Sequence, residues 1–490
     1  MVLIIIVLGY IIGTTLIIGW IQARMNRGKT GESFLFADRS LGAWVGGATI
    51  ALCAIGSVHT TGLMEAGAID GFTGVWITLG AAISIVMAGC WYAPLFRKMK
   101  INTVPEGYLK MFDNKTRLMC SVINIVVMMT FLSLETQAGG IMFNALLGID
   151  MSLAIPLFLI CALLYMISSG MWQVAWLNML NALVTYGVLI LVLVFITMNL
   201  PGGWSGVEDY YISTDQAYKM SLWPQGWQAW LAAPIPLFIG AFMQNPMDQG
   251  MAGYFIAAKD TITARRMGYT GALFNAPFGA FTLVFGILAM AIPAYAAVGT
   301  KTAGLTMVLD VCPTFVKGLL LATFIVMVLS TFARMSMGTA QIIINDFYLP
   351  MSKNENKLKN VPKLSRILIV LSGLIAMIPA FAMPVFLLQV MYCFALSAVM
   401  WVPFVLGVFW KRNATAGFWS MLAGLVVSTL YEYFLHAALA IPGWIATMYI
   451  AVVVTGVLYI VICLATPDKC SNGISVALKN KEVTFEATKI

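Results

Sequence analysis

Long apolar runs alternate with short, polar and often basic stretches along this chain. A run of about 20 apolar residues crosses a bilayer as a helix. On that rule the pattern predicts an all-α polytopic membrane protein with about thirteen transmembrane helices. They lie over 2–22, 43–69, 73–96, 118–146, 152–170, 174–200, 227–252, 267–297, 314–347, 364–382, 384–409, 415–437 and 443–465. The first run has no basic region before it and no small-residue cleavage site, so it reads as a retained helix rather than a signal peptide.

Two runs are poor continuous helices. Cys53 to Gly71 reads CAIGSVHTTGLMEAGAIDG, with four glycines, several hydroxyls, His59 and Glu65. Gly240 to Gly253 reads GAFMQNPMDQGMAG, with Pro246 beside Gln244, Asn245, Asp248 and Gln249. Glycine and proline free backbone polar groups, and in lipid these must line a cavity or lie inside protein. Glycines also permit close helix packing, which accounts for single glycines but not for clustered polar groups at matching places. The interrupted runs are the second and the seventh. Five spans followed by five, each set opening on a broken helix, predict an inverted 5+5 repeat with the solute and coupling-ion site near the midplane. One extra helix precedes the repeats and two follow.

Composition and charge agree with the pattern. The 490 residues are 61% hydrophobic and 10% charged, where a soluble domain is nearer a quarter charged. The net charge of +8 comes from short loops and implies contact with membrane lipids, not nucleic acid. Every second loop is basic: Arg24, Arg27, Lys29 and Arg39 first, later Arg97 to Arg117, Lys259 to Arg266, Lys353 to Arg366, and Lys411 with Arg412. By the positive-inside rule the N-terminus lies outside the cytoplasmic (plasma) membrane and the C-terminus inside. The domain reading is one transmembrane unit over 1–466: extra helix 1–22, repeats 43–200 and 227–409, last pair 415–465. Residues 467–490 form a short cytoplasmic tail. The eight scattered cysteines read as small core residues, and two histidines, His59 and His436, make zinc improbable. No phosphate-binding P-loop supports ATP-driven transport, and no catalytic arrangement indicates an enzyme.

Several segments resemble the sodium:solute symporter family, in order, from Phe34 to Gly424. They are FLFADRSLGAWVGGATIA (Phe34 to Ala51), RKMKINTVPEGYLKMFDNKTR (Arg97 to Arg117), TQAGGIMFNALLGI (Thr136 to Ile149), FIAAKDTITARRMG (Phe255 to Gly268), LSTFARMSMGTAQIIINDFY (Leu329 to Tyr348) and GVFWKRNATAGFWSMLAG (Gly407 to Gly424). The resemblance implies a LeuT-like fold and alternating-access uptake of a small polar solute, with Na+ as coupling ion and no other cofactor. It implies a sodium site made by the hydroxyls of Ser330 and Thr331 with backbone carbonyls at Ile55 and Leu52. Physically, sodium takes several oxygens, and unwound backbone supplies them.

The chain departs from the family pattern at charged positions. Arg334 stands where the family has a small residue, four positions after Ser330 and three after Thr331, on the same helix face. An arginine at a bilayer centre costs about 2.5–3.5 kcal/mol on translocon scales, so a role is expected of it. Asn178 and Asn181 stand where the family has an aspartate, on the sodium exit path, and a glutamine. Asp248 replaces a family asparagine. Two readings follow: sodium-coupled symport, or a sodium-independent exchanger, uniporter or proton-coupled carrier in which Arg334 replaces sodium and pairs with Asp248.

The candidate substrate-binding residues are His59, Asp248, Gln249, Gln137 and Glu135. His59 fits either a substrate or proton site or a neutral histidine bonded to freed backbone. Glu135 faces the cavity or pairs with Arg334; Glu65 is an outer gate or an interfacial residue. Most tryptophans read as interfacial belt, and an aromatic cage with Asp248 would suit a cationic or zwitterionic amine. Sugars, carboxylates and vitamins fit the scaffold equally, and the sequence leaves the oligomeric state open. A solute sensor or a channel are the competing classes.

Overall fold

Each apolar run of the sequence carries helix, as it must where no water is available to the backbone. The computed structural model describes residues 2–25, 30–166, 170–352, 358–381, 386–435, 438–439, 441–443, 445–480, 482–483 and 485. His436 and the basic residues Arg27, Lys29, Lys353, Lys357 and Lys481 lie outside the described residues.

The helices are α1 (Val2–Arg24), α2 (Ala43–Ala54), α3 (Leu63–Asp70), α4 (Val75–Met87), α5 (Val104–Met111), α6 (Asn114–Leu147), α7 (Met151–Met166), α8 (Met171–Met198) and α9 (Pro234–Met247). There follow α10 (Gln249–Ile256), α11 (Thr261–Met290), α12 (Ala303–Val311), α13 (Thr314–Ile342), α14 (Val361–Ala380), α15 (Phe386–Phe409), α16 (Ala414–Leu430) and α17 (Thr447–Ala465). Among the described residues ten helical segments are long and apolar enough to cross a membrane, and α2 and α7 are shorter apolar helices. One of the ten, Val58–Met99, contains both α3 and α4.

The axis of the molecule is α13, whose most apolar stretch is 83% buried. It packs against α1, α2, α6, α7, α8, α10 and α14. A second cluster joins α11 to α2, α3 and α4, and α9 lies between α4 and α15.

Both irregular runs are interrupted. α2 ends at Ala54, and Ile55 leaves helical geometry at φ −89°, ψ 69°. The chain re-enters helix through a wide turn, Val58–Gly62, where the N–H groups of His59 and Thr60 donate to the Gly56 carbonyl at 3.1 and 3.0 Å. In the second run Asp248 is extended at φ −72°, ψ 114°, and its side chain caps α10 by accepting from Met251 N–H at 3.0 Å. An aspartate cap at that point starts a new helix rather than continuing the old one.

Two boundaries differ from the expected runs by several residues. The run over 267–297 is helical only to Met290, because Pro293 lacks an N–H to continue it and opens a separate turn, Pro293–Ala296. The run over 443–465 becomes helical only at Thr447. The loops hold helices that hydropathy does not reveal. One is amphipathic α5, started by Thr103, whose hydroxyl accepts from Glu106 N–H at 3.1 Å.

Candidate functional site

The break between α2 and α3 leaves a carbonyl at one end and an N–H at the other, and both ends meet a charged side chain. The Cys53 carbonyl, in the last turn of α2, accepts from Thr331 Oγ1 at 3.0 Å and from Arg334 Nε at 2.8 Å. The Ser57 N–H, just past the break, donates to both carboxylate oxygens of Glu135 on α6, at 3.1 and 2.9 Å. The Ser57 hydroxyl adds a third bond to Glu135 Oε1 at 2.8 Å. A cation at a helix C-terminus and an anion at an N-terminus are the favourable placements. Only glycine fits between: a Cβ on Gly56 would stand 2.4 Å from Glu135 Oε1 and 2.6 Å from Thr331 Oγ1.

Arg334 also reaches the second break. Its NH1 group forms an ion pair with Asp248 Oδ2, and both residues are buried. The same carboxylate oxygen accepts from Gln244 Nε2 at 2.8 Å, while Asp248 Oδ1 caps α10. Gly250 lets the arginine pass, since a Cβ there would lie 2.6 Å from Arg334 Cγ. One guanidinium therefore ties both helix breaks to α13.

Glu135, Thr331 and Arg334 face a cavity lined also by His59, Gln244, Asn245 and the rings of Phe131 and Phe394, among others. Only about 40 Å³ of it admits the centre of a water molecule, enough for about three waters at 10–15 Å³ each. An organic solute requires this conformation to open. His59 is 4% exposed, and among the described residues neither ring nitrogen makes a hydrogen bond of ordinary geometry. The backbone of His59 is fixed instead, its carbonyl accepting from Thr282 Oγ1 at 2.7 Å.

The expected site residues divide. His59, Glu135, Thr331 and Arg334 come together around the cavity, with Asp248 behind the arginine. Among the described residues Glu135 makes no ion pair with Arg334; its carboxylate is held by Ser57. Ser330 turns toward α8, donating to Asn178 Oδ1 at 2.5 Å, while Asn178 Nδ2 donates to Cys53 Sγ at 3.2 Å. Asn181 is buried farther along α8 and accepts from Tyr10 OH at 2.6 Å. The backbone oxygen that meets the Thr331 hydroxyl is that of Cys53, not those expected at Ile55 and Leu52. The Leu52 carbonyl already closes the last turn of α2, accepting from Ile55 N–H at 3.2 Å.

Gln249 and Gln137 do not line the cavity. Gln249 bridges Val104 N–H (2.7 Å), Gln341 Oε1 (2.8 Å) and the Asn102 carbonyl (3.3 Å), locking α5 against α10 and α13. Gln137 donates to the Ala380 carbonyl at 3.0 Å and accepts from Lys301 Nζ at 3.2 Å. Glu65 is buried on α3, 4% exposed. Burial pulls the Lys301 ammonium below its usual range, with Glu65 opposing the shift. Among the described residues the cavity lining holds no tryptophan; its aromatic walls are Phe131 and Phe394. Phe131 stands one helical turn before Glu135, a spacing that marks a shared face. Nothing in the sequence singles out Phe394.

The sequence model of the Sodium:solute symporter family matches residues 34–424. The chain belongs to that family. It is 25% identical over 440 residues to the Sodium/glucose cotransporter of Vibrio parahaemolyticus, covering 83% of this chain and 80% of that protein. It is 21% identical over 430 residues to the Sodium/sialic acid symporter SiaT of Proteus mirabilis, covering 83% and 84%. Against Sodium/glucose cotransporter 1 of Mus musculus identity is 32% over 196 residues, 39% of this chain. The chain spans 29% of the length of that protein and 25% of its Ovis aries counterpart. In fold it is similar to a Na+-coupled sialic acid symporter solved in a substrate-bound outward-open state. The TM-score is 0.79 at 17% identity, over 94% of this chain and 98% of that one.

Proposed function

We propose that the protein is a secondary transporter of the sodium:solute symporter type, carrying a small polar organic solute across the cytoplasmic membrane by alternating access. The observation that carries this reading is the small cavity at the junction of two broken helices, with Glu135, His59 and Arg334 on its walls. Unwound helices at a shared midplane site are how such carriers expose backbone ends to solute and ion. The finer architecture belongs to the same reading. Counting α2 with α3, α9 with α10, and α7 beside the remaining long segments gives thirteen crossings, five and five around the site. The N-terminus lies outside. The membrane portion over 1–466 acts as one unit followed by the short tail.

Family membership supports sodium as the coupling ion. A second reading is favoured by one feature: Arg334 Nε sits on the Cys53 carbonyl, the same oxygen that Thr331 addresses. A guanidinium there supplies positive charge at the C-terminal end of the half-helix, where such carriers place a coupling ion. In this reading Ser330 and Thr331 hold no sodium, and Asn178 and Asn181 line no sodium exit path. The deciding experiment measures thermal stability of the purified protein in sodium chloride against potassium chloride at equal ionic strength. A ligand that binds only the folded state raises stability by mass action. Sodium-specific stabilisation of the wild type supports symport. Its absence, with sodium stabilising Arg334→Ser, supports replacement of the ion by arginine.

A further inference from the structure

The two ends of a broken helix in this architecture ordinarily meet an anionic group of the solute and a coupling cation. Here both are supplied from within. Glu135 takes the Ser57 N–H and hydroxyl, and Arg334 takes the Cys53 carbonyl. A solute carboxylate would find its helix end occupied and a fixed carboxylate in its place. Both oxygens of Glu135 act as acceptors toward Ser57.

The charge balance then points to the ligand. Among the described residues, Glu135 stands in the cavity wall and Asp248 behind it, against the one guanidinium of Arg334, which is committed to Asp248. With Glu135 ionised, this group of side chains lacks one positive charge. An uncompensated buried carboxylate is costly, so occupancy by a cation is favoured. The other walls suit an organic cation rather than a bare ion: the rings of Phe131 and Phe394, and the amides of Gln244 and Asn245. His59 is buried there, and among the described residues neither ring nitrogen makes a hydrogen bond of ordinary geometry. A neutral imidazole offers one donor and one acceptor, and a small solute entering the cavity would pair with it.

We infer that the transported solute is a small organic cation, a protonated or quaternary amine that also carries a hydrogen-bonding group. Glu135 is its counter-ion, Phe131 and Phe394 face its alkyl or ammonium surface, and His59 binds its polar end. This inference rests on the carrier reading and on Arg334 replacing sodium. It also supplies a driving force, because a monovalent cation is drawn inward by the membrane potential alone. At 100 mV, inside negative, that corresponds to roughly 50-fold accumulation at equilibrium.

The test is binding first, transport second, so that the two readings fail separately. Purified protein is heated in detergent with millimolar ethanolamine, choline, glucose, proline or sialic acid, and with sodium chloride alone. The expected result is a rise in melting temperature with at least one of the amines, little or none with the others, and loss of that rise in Glu135→Gln. The amide still accepts from Ser57, so the fold is preserved while the counter-charge is removed. Should Glu135→Gln not fold, Phe131→Leu and His59→Gln serve, and both are expected to weaken the amine response. Stabilisation by glucose, sialic acid or sodium alone, or no response to either amine, overturns the inference. An amine response that survives Glu135→Gln, or in its place both other substitutions, overturns it too. Uptake of the stabilising amine into proteoliposomes under an imposed potassium-diffusion potential then tests the carrier reading. Binding without potential-driven uptake leaves the ligand class standing and refutes uniport.

Discussion

Neutralising Asp248 is the sharpest test of how the site is held together. In Asp248→Asn the amide oxygen can still cap α10 through Met251 N–H, and asparagine is as good a cap as aspartate. What is lost is the charge facing Arg334 NH1. Removing one partner of a buried ion pair costs about 3–5 kcal/mol, and Glu135, held on Ser57, does not move into the vacancy without giving up three hydrogen bonds. The same count gives an ordering. Asp248→Asn leaves one carboxylate with one guanidinium, whereas Arg334→Gln leaves two buried carboxylates with none, so Arg334→Gln is the more damaging single change. The double variant removes both charges and loses mainly the bond to the Cys53 carbonyl, a cost of about 1.5–3 kcal/mol. It is therefore more stable than Arg334→Gln alone and costs less than the sum of the two single changes. The assay is reversible unfolding in mixed detergent and SDS micelles followed by tryptophan fluorescence. A cost for Asp248→Asn below about 1 kcal/mol, or a double variant equal to the sum of the singles, refutes the pairing, since residues in one network do not add.

Other outcomes follow from the same geometry. Gly56→Ala forces a methyl to 2.4 Å from Glu135 Oε1 and 2.6 Å from Thr331 Oγ1; it abolishes ligand-induced stabilisation in melting experiments, and an unchanged response shows the break is not part of the site. Arg334→Ser gains stability from sodium over potassium, read by the same melting assay; a variant indifferent to sodium leaves no vacated ion site. For Lys301, burial places the folded-state pKa below the unfolded value of 10.5, so the ammonium destabilises at neutral pH and this penalty fades as pH rises toward 10.5. The wild type thus gains on Lys301→Gln between neutral and alkaline pH, and a constant difference in melting temperature across that range refutes the argument.

Much of this was legible in the sequence because a membrane chain advertises its exceptions. Glycine, proline and polar clusters stand out against apolar runs, so both helix breaks could be placed to within a few residues. Arg334 and Asp248 are each too costly to bury alone, and their pairing followed from charge. The carbonyl was less legible. A backbone oxygen leaves no residue signature, and which one is freed depends on where α2 unwinds, so the contact from Thr331 falls on Cys53 rather than on its neighbours Leu52 and Ile55. Gln137 was misplaced for a different reason. It follows Glu135 by two residues, about 200° around a helix, so the two cannot share a face; Phe131, four residues earlier, can. Gln249 sits beyond the Asp248 break, where the helix direction resets and the polar cluster no longer faces one way.

The arginine's shape carries a separate consequence from its charge. Nε holds the first break through the Cys53 carbonyl while NH1 holds the second through Asp248, and this requires two nitrogens a fixed distance apart. Any change of access that moves one break relative to the other must strain or release one of these bonds. Lysine preserves the charge but offers a single nitrogen on a flexible stem. Arg334→Lys is therefore expected to keep sodium from binding, because positive charge still occupies the ion's place, yet to lose about 1.5–3 kcal/mol of stability with one charge-assisted bond. It should also change the rate of solute exchange in proteoliposomes more than the ligand's stabilising effect. If Arg334→Lys instead responds to sodium as Arg334→Ser is expected to, then the shape of the guanidinium, and not its charge, is what keeps the ion out.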